Sequence, residues 1–288
     1  MVFKRMFRGG TREDRAEPES LEDLIVLERY EEAEQRLKAR LRENPDDLHS
    51  YLKLAEVHTA LRRVGDAVED YLHVADEYAR DGFYEKGIAL LGRARKLIPA
   101  DDALPLKIAA LEQIKALEHK RAAAVEGVRQ SGASGIETSS RVLALQRGWT
   151  ALATSRLIGD LATDQVRRLF SAFDFVNPEV GDVLAREDEQ RPILFLLVGA
   201  QLEAAADGTQ VRRFGPRDIL GETALFERGA WPVTLTVTEP GLVLALDRAG
   251  VERVLAGNPD PRGLLAALRA RGIDRELEGL VRRLRTKR

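Results

Sequence analysis

Two periodicities divide the chain. From Ser20 to about Gln130, apolar residues recur at spacings of three and four: Leu24 and Leu27, then Leu48, Tyr51, Leu52, Leu54, Ala55, Val57 and Leu61. That spacing predicts helices with one buried face. Pro45, Gly65, Gly82 and Pro99 interrupt it, so we expect helices joined by short turns and stacked as antiparallel hairpins. After Phe173 the period becomes two. Strand character falls on 174–176, 182–185, 193–198, 201–206, 210–214, 233–238 and 242–246. Asp207-Gly208 between two of these segments is a strong hairpin signal. Short, evenly spaced antiparallel strands predict a small barrel or jelly roll, followed by helices at 248–256 and 261–285. Between the halves, Gln130–Ser140 is rich in Ser and Gly and reads as a flexible linker. Arg141–Leu157 then reads as a packing helix, and Leu161–Phe173 as an amphipathic helix with Val166, Leu169 and Phe170 on one face. The expected fold class is multidomain α plus β. The expected divisions are a flexible basic tail at 1–19, a helical repeat domain at 20–129, a linker and connecting helix at 130–155, and a β domain with a C-terminal helix at 156–288.

The helical half repeats internally. Ala33 and Ala67 stand 34 residues apart, each followed four residues later by a large side chain, Leu37 and Tyr71. Tyr30–Glu34, Val64–Val68 and Tyr84–Ile88 open similar helices, and Asn44-Pro45-Asp46-Asp47 and Ile98–Asp102 close two of them. This pattern resembles the tetratricopeptide repeat, with Ala55, Ala67 and Ala75 at its small positions and Tyr71 and Tyr78 as bulky partners. Gly87 follows Ala67 by only 20 residues, so helix 66–80 must serve two hairpins. Such an array buries its core between neighbouring repeats and leaves a concave face for a partner. We expect that face to come chiefly from 46–63 and 102–118, and its mixed charge favours a peptide or folded protein as partner.

In the β half, three segments carry a second resemblance. They are Pro178–Leu184 with its Gly181-Asp182 turn, Leu194–Gly199, and Phe214–Leu225, which contains Gly221-Glu222-Thr223-Ala224. Together with the order of elements, they resemble the cyclic-nucleotide-binding domain and its phosphate-binding cassette over about 156–270. The physics of that cassette is readable. Gly lets the backbone approach a ligand, and amides in a short helical turn point N–H groups at an anion. A Glu accepts from a ribose hydroxyl, and a bidentate Arg neutralises the cyclic phosphate. The resemblance places that Arg ten residues after the Gly, where this chain has Trp231. The next residue, whose amide would meet the phosphate, is Pro232, which has no N–H. Thr234 matches the family's Ser/Thr. The ribose half of the cassette is therefore kept, and the phosphate half is not. The lost charge-assisted bond and amide together cost about 2.5–4 kcal/mol, an affinity loss on the order of 10²–10³. Two readings of Arg228 stand open: a solvated loop residue, or a substitute phosphate contact. Gly221-Glu222 likewise reads either as a ribose contact or as a turn that caps the barrel.

Composition narrows the function. The 288 residues are 44% hydrophobic and 32% charged, with net charge −2, so no global field draws the chain to nucleic acid or membrane. Cysteine is absent, which excludes disulfides, thiolate metal sites and Cys nucleophiles. The basic side chains are 45 Lys and Arg together, mostly Arg, a bias associated with GC-rich bacterial genomes. The four histidines, His49, His58, His73 and His119, lack metal-ligand spacing and read as helix-surface or packing residues. There is no P-loop, G-x-S-x-G or H-E-x-x-H motif, and the longest apolar run, 192–200, is too short to span a bilayer. The segment after Pro261 is net basic, with an apolar stripe that includes Leu264, Leu268, Leu277 and Leu284. It reads as an amphipathic helix that docks on the barrel or pairs with a second copy, and it offers no element for sequence-specific DNA reading. We expect a cytoplasmic, non-enzymatic bacterial signalling adaptor without metal or cofactor. Its repeat array would bind a protein and its β domain would act as sensor or docking module. The alternatives are a genuine cyclic-nucleotide effector and, more weakly, a nucleic-acid-associated regulator.

Overall fold

A computed structural model describes residues 20–269 and 273–286. The basic tail expected at 1–19 lies outside the described residues. The chain forms two compact units, one ending at Lys115 and one beginning at Ala116.

The first unit is helical. Helix α1 (Leu21–Val26) starts at Ser20, whose side chain accepts from the Asp23 amide while the Asp23 carboxylate accepts from Ser20 N, a reciprocal cap. Helices α2 (Tyr30–Glu43), α3 (Leu48–Ala60), α4 (Val64–Arg80) and α5 (Tyr84–Leu97) follow, then α6 (Ala103–Gln130). The small residues sit where helices cross: Ala33, Ala55, Ala67 and Ala75 are all fully buried. One apolar cluster combines Ala55 of α3, Tyr71 and Val74 of α4, Leu91 of α5 and Leu111 of α6, so α4 serves both of its neighbours as the spacing required. Gly87 belongs to the same set, since a Cβ there would lie 3.0 Å from the Ala75 carbonyl oxygen. His58 is buried, as a packing residue, but it also carries a polar network. Its Nδ1 lies 2.8 Å from Asp70 and its Nε2 3.4 Å from Glu34, and Arg63 and Lys38 complete the charge balance at Glu34. The Lys38 contact holds the Glu34 carboxyl below its usual range, whereas burial pushes Asp70 up.

In the second unit the expected linker shrinks to a turn. Helix α7 (Gly135–Ala153) starts immediately after Ser134, whose side chain accepts from the Glu137 amide. Helices α8 (Arg156–Asp160) and α9 (Thr163–Ala172) lead into eight strands: β1 (Asp174–Val176), β2 (Val183–Ala185), β3 (Ile193–Leu197), β4 (Gln201–Ala206), β5 (Thr209–Phe214), β6 (Ile219–Leu220), β7 (Thr234–Glu239) and β8 (Val243–Asp247). A short helix, α10 (Glu222–Phe226), separates β6 from β7. Helices α11 (Arg248–Leu255), α12 (Pro261–Arg269) and α13 (Ile273–Thr286) follow β8; the described residues of the helix expected at 261–285 lie in the last two.

The strands make two antiparallel sheets, ordered β1-β8-β3-β6 and β2-β7-β4-β5. The barrel we expected is not closed. Three of the four edge strands, β1, β2 and β6, are only two or three residues long, too short to hydrogen-bond around the seam. Strand β4 alternates, with Leu202, Ala204 and Ala206 buried. Strand β3 is apolar throughout because it is covered on both faces. Leu194 and Leu196 join a cluster with α7 and α9, while Phe195 and Leu197 face the interior between the sheets. The first of these clusters also takes in Ala124, Val128, Leu145, Trp149 and Leu152. The start of this unit at Ala116, rather than at the expected 156, follows from that packing.

Candidate functional site

The cassette begins where β6 ends. Gly221 turns the chain at φ +93° and caps α10. A side chain there would meet the Ile193 carbonyl oxygen at 2.2 Å and the Trp231 ring at 2.8 Å, so only glycine fits. Trp231 is 1% exposed. Its ring lies 5.8 Å from that of Phe195, and its Nε1 donates to the Arg191 carbonyl at 3.0 Å. Its backbone pairs with Glu189 and Asp188. Trp231 is thus an anchor of the core between the sheets, packed directly under the glycine turn.

The sequence-selected residues separate into three groups. Gly221, Glu222, Thr223, Ala224 and Trp231 come together, and Glu222 and Ala224 are buried. Thr234 is tied sideways, its Oγ1 accepting from the Glu187 amide at 3.1 Å. Arg228 stays exposed at the loop tip, at φ +56°, and has no ion pair among the described residues. The structure does not bring it onto the cassette amides.

What occupies those amides is a residue the sequence reading passed over. Asp274, in the first turn of α13, accepts from Gly221 N at 3.1 Å and from Thr223 N at 2.9 Å. It is 4% exposed. Burial pushes its carboxyl above the ordinary range, against the opposing pull of the Thr223, Gly221 and Glu222 amides. The rest of α13 is fastened across the same face. Leu277 and Val281 join the inter-sheet cluster with Trp231, Leu220 and Ala224. Glu276 pairs with Arg212 at 2.9 Å, and Arg285 reaches Glu187 at 2.7 Å and Asp207 at 3.3 Å. In sequence, Asp274 looks like an ordinary first-turn acid favoured by the helix dipole. Its partners lie about fifty residues away, so no local pattern shows them.

Chemically, the short turn presents amides to an anion, and the anion is the chain's own carboxylate. Among the described residues there is no group of three or more metal-ligating side chains and no helix long and apolar enough to cross a membrane.

Residues 176–258 match the cyclic nucleotide-binding domain family. The matched segment ends before α13, so it excludes Asp274. No curated protein matches the chain. Among solved structures, the chain is similar to a cyclic nucleotide-binding domain from Methylobacillus flagellatus KT, at 16% identity and TM-score 0.39, covering 44% of this chain and 75% of that one. It is similar to the N-terminal domain of a transcriptional regulator from Streptomyces coelicolor A3(2), at 23% identity and TM-score 0.37, covering 44% and 91%. It is also similar to a cyclic nucleotide-binding-like protein from Brucella abortus, at 22% identity and TM-score 0.34, covering 37% and 96%. Residues 176–258 are a cyclic nucleotide-binding domain, a family that supports a regulatory role.

Proposed function

We propose that this protein is a non-enzymatic signalling adaptor whose cyclic nucleotide-binding domain works as a docking module, with its cassette already filled from within. The observation that carries this reading is the Asp274 carboxylate on the Gly221 and Thr223 amides. A cyclic phosphate would have to displace that carboxylate and the helix behind it. It would then find Trp231 and Pro232 in place of an arginine and an amide. Among the described residues, Arg228 makes no hydrogen bond or ion pair at the cassette, so this reading counts on no cation from it.

The helical unit supplies the partner surface in this reading. A groove of about 380 Å³ between α3 and α5 is lined by Leu52, Tyr78 and Leu90, with Lys53, Glu56, Lys86 and Arg93 at its rim. This groove draws on α3, α4 and α5; the 102–118 segment expected to share the partner face does not line it. The resemblance to tetratricopeptide repeats makes a peptide or folded protein its natural occupant. Of the two roles expected for the C-terminal helix, docking is the one supported here, since Leu277 and Val281 are buried on the domain itself.

Thermal unfolding with cyclic AMP and cyclic GMP at millimolar concentration tests the reading. No change in Tm is expected. A ligand at 100 times its Kd stabilises by about 2.7 kcal/mol, so a clear rise that Glu222→Ala abolishes would establish the cyclic-nucleotide effector instead.

A further inference from the structure

The second unit holds a second cavity that the cassette does not use. It has a volume of about 590 Å³ and lies between α7 and the end of the roll where Val198, Gly199 and Leu242 meet. That is within the ordinary range of small-molecule sites, about 300–1,000 Å³. On the helix side its wall is Ala144, Gly148 and Ala151. These stand at i, i+4 and i+7, so they share one face, and their small side chains keep the chamber open. At Gly148 a Cβ would lie 2.2 Å from Val198, so helix and roll already touch there and cannot close further.

Two guanidinium groups border this apolar space, Arg147 of α7 and Arg217 of the turn before β6. Neither has an ion pair among the described residues. Arg217 holds a backbone conformation that side chains rarely adopt, φ +83°, fixed by its amide donating to the Leu197 carbonyl at 2.8 Å. A contiguous polar recess of about 340 Å³ shares Thr154 and Arg217 and adds Arg156 and Asp218. The combination is a largely apolar chamber, with Thr150, Thr154 and Asn177 also in its wall and two arginines at its mouth. A neutral apolar ligand would leave the arginines unused, and a small hydrophilic anion would leave the chamber wet.

We infer that this cavity is a binding site for a small amphiphile with an apolar body and a single anionic head group, carboxylate or phosphate, held by Arg147 and Arg217. The head sits at the mouth, where charge-assisted bonds to guanidinium are strong and directional. The tail lies against Ala144, Ala151, Val198 and Leu242. The site is independent of the cassette reading.

The full-length protein titrated with 1-anilinonaphthalene-8-sulfonate, an aromatic body with one sulfonate, provides the test. A saturable blue-shifted emission is expected, displaced by decanoate or decyl phosphate, and by decanol at least about tenfold more weakly. Which of the two anions competes better separates a carboxylate from a phosphate ligand. Arg147→Ala and Arg217→Ala should each weaken decanoate about tenfold and leave decanol unchanged. Ala151→Leu, which fills the chamber, should remove all three competitors. Arg217→Gly relieves the strained turn and keeps the variant folded, yet should lose the anion preference. No saturable signal, equal displacement by decanol, or a signal untouched by Ala151→Leu would overturn the assignment.

Discussion

At the scale of single residues, the proposed reading turns on a carboxylate and an indole, Asp274 and Trp231. Asp274 carries an acid–base consequence. Burial raises its folded-state pKa above the unfolded value of about 3.9. The folded protein therefore binds more protons than the unfolded chain between those two values, and stability from this residue falls as pH rises through that window. Asp274→Asn removes the titration but keeps an acceptor. The stability of the native protein relative to this variant should be greatest below about pH 4 and should shrink as pH rises. Urea unfolding of both proteins at several pH values checks this, and a constant difference would show that Asp274 does not titrate in this way. Trp231 sets a second expectation. It lies in the core, so Trp231→Ala should cost about 3–5 kcal/mol. Trp231→Arg should unfold the domain before it restores a phosphate contact. The Trp231 reading rests on spacing within a local motif, which a sequence displays directly. Asp274 was not, because it acts through a packing of distant segments.

At the scale of elements, period and punctuation located nearly every strand and most helices. The failures have particular causes. Strand β6 is two residues long, below what any alternation can reveal. The supposed linker was misjudged by composition, although Ser134-Gly-Ile-Glu137 is a helix-start signature, and Ser134 indeed caps α7. Closure of the barrel could not be read because strand length at the edges, not strand count, decides it. Glycines inside helices give a matched pair of predictions. Alanine is favoured over glycine in a helix by about 1 kcal/mol. At Gly92 of α5 an added Cβ meets nothing within 4 Å, so Gly92→Ala should raise Tm. At Gly127 of α6 the Cβ would lie 2.1 Å from the Arg167 carbonyl oxygen of α9. Backbone cannot yield as a flexible side chain can, so Gly127→Ala should lose about 1–3 kcal/mol despite the propensity gain. Calorimetry of the two variants should give Tm shifts of opposite sign.

At the scale of the whole molecule, the family match at 176–258 and the compact unit that begins at Ala116 do not coincide. The match covers 176–258, whereas the apolar core beneath β3 and β8 draws on Ala124 and Val128 of α6 and on Leu145, Trp149 and Leu152 of α7. Each large side chain among these contributes about 1.5–3 kcal/mol when fully buried. Their sum is comparable with the entire net stability of an ordinary domain, about 5–15 kcal/mol. Cutting the chain at 156, where sequence placed the boundary, strips them all and leaves Leu194, Leu196 and Phe170 facing water. Cutting at 116 keeps them. We therefore expect the 116–288 fragment to unfold in one cooperative transition with the near-ultraviolet signal of its two buried tryptophans. The 156–288 fragment should bind hydrophobic dye and melt without a sharp transition. The comparison matters for function as well as folding. A fragment from 156 would fail to bind any nucleotide simply because it is not folded. Only if the 116–288 fragment is native and still shows no Tm change with cyclic AMP or cyclic GMP can the silence be attributed to the Asp274 and Trp231 arrangement. A cooperative 156–288 fragment would instead show that α6 and α7 are accessory to this domain rather than part of its core.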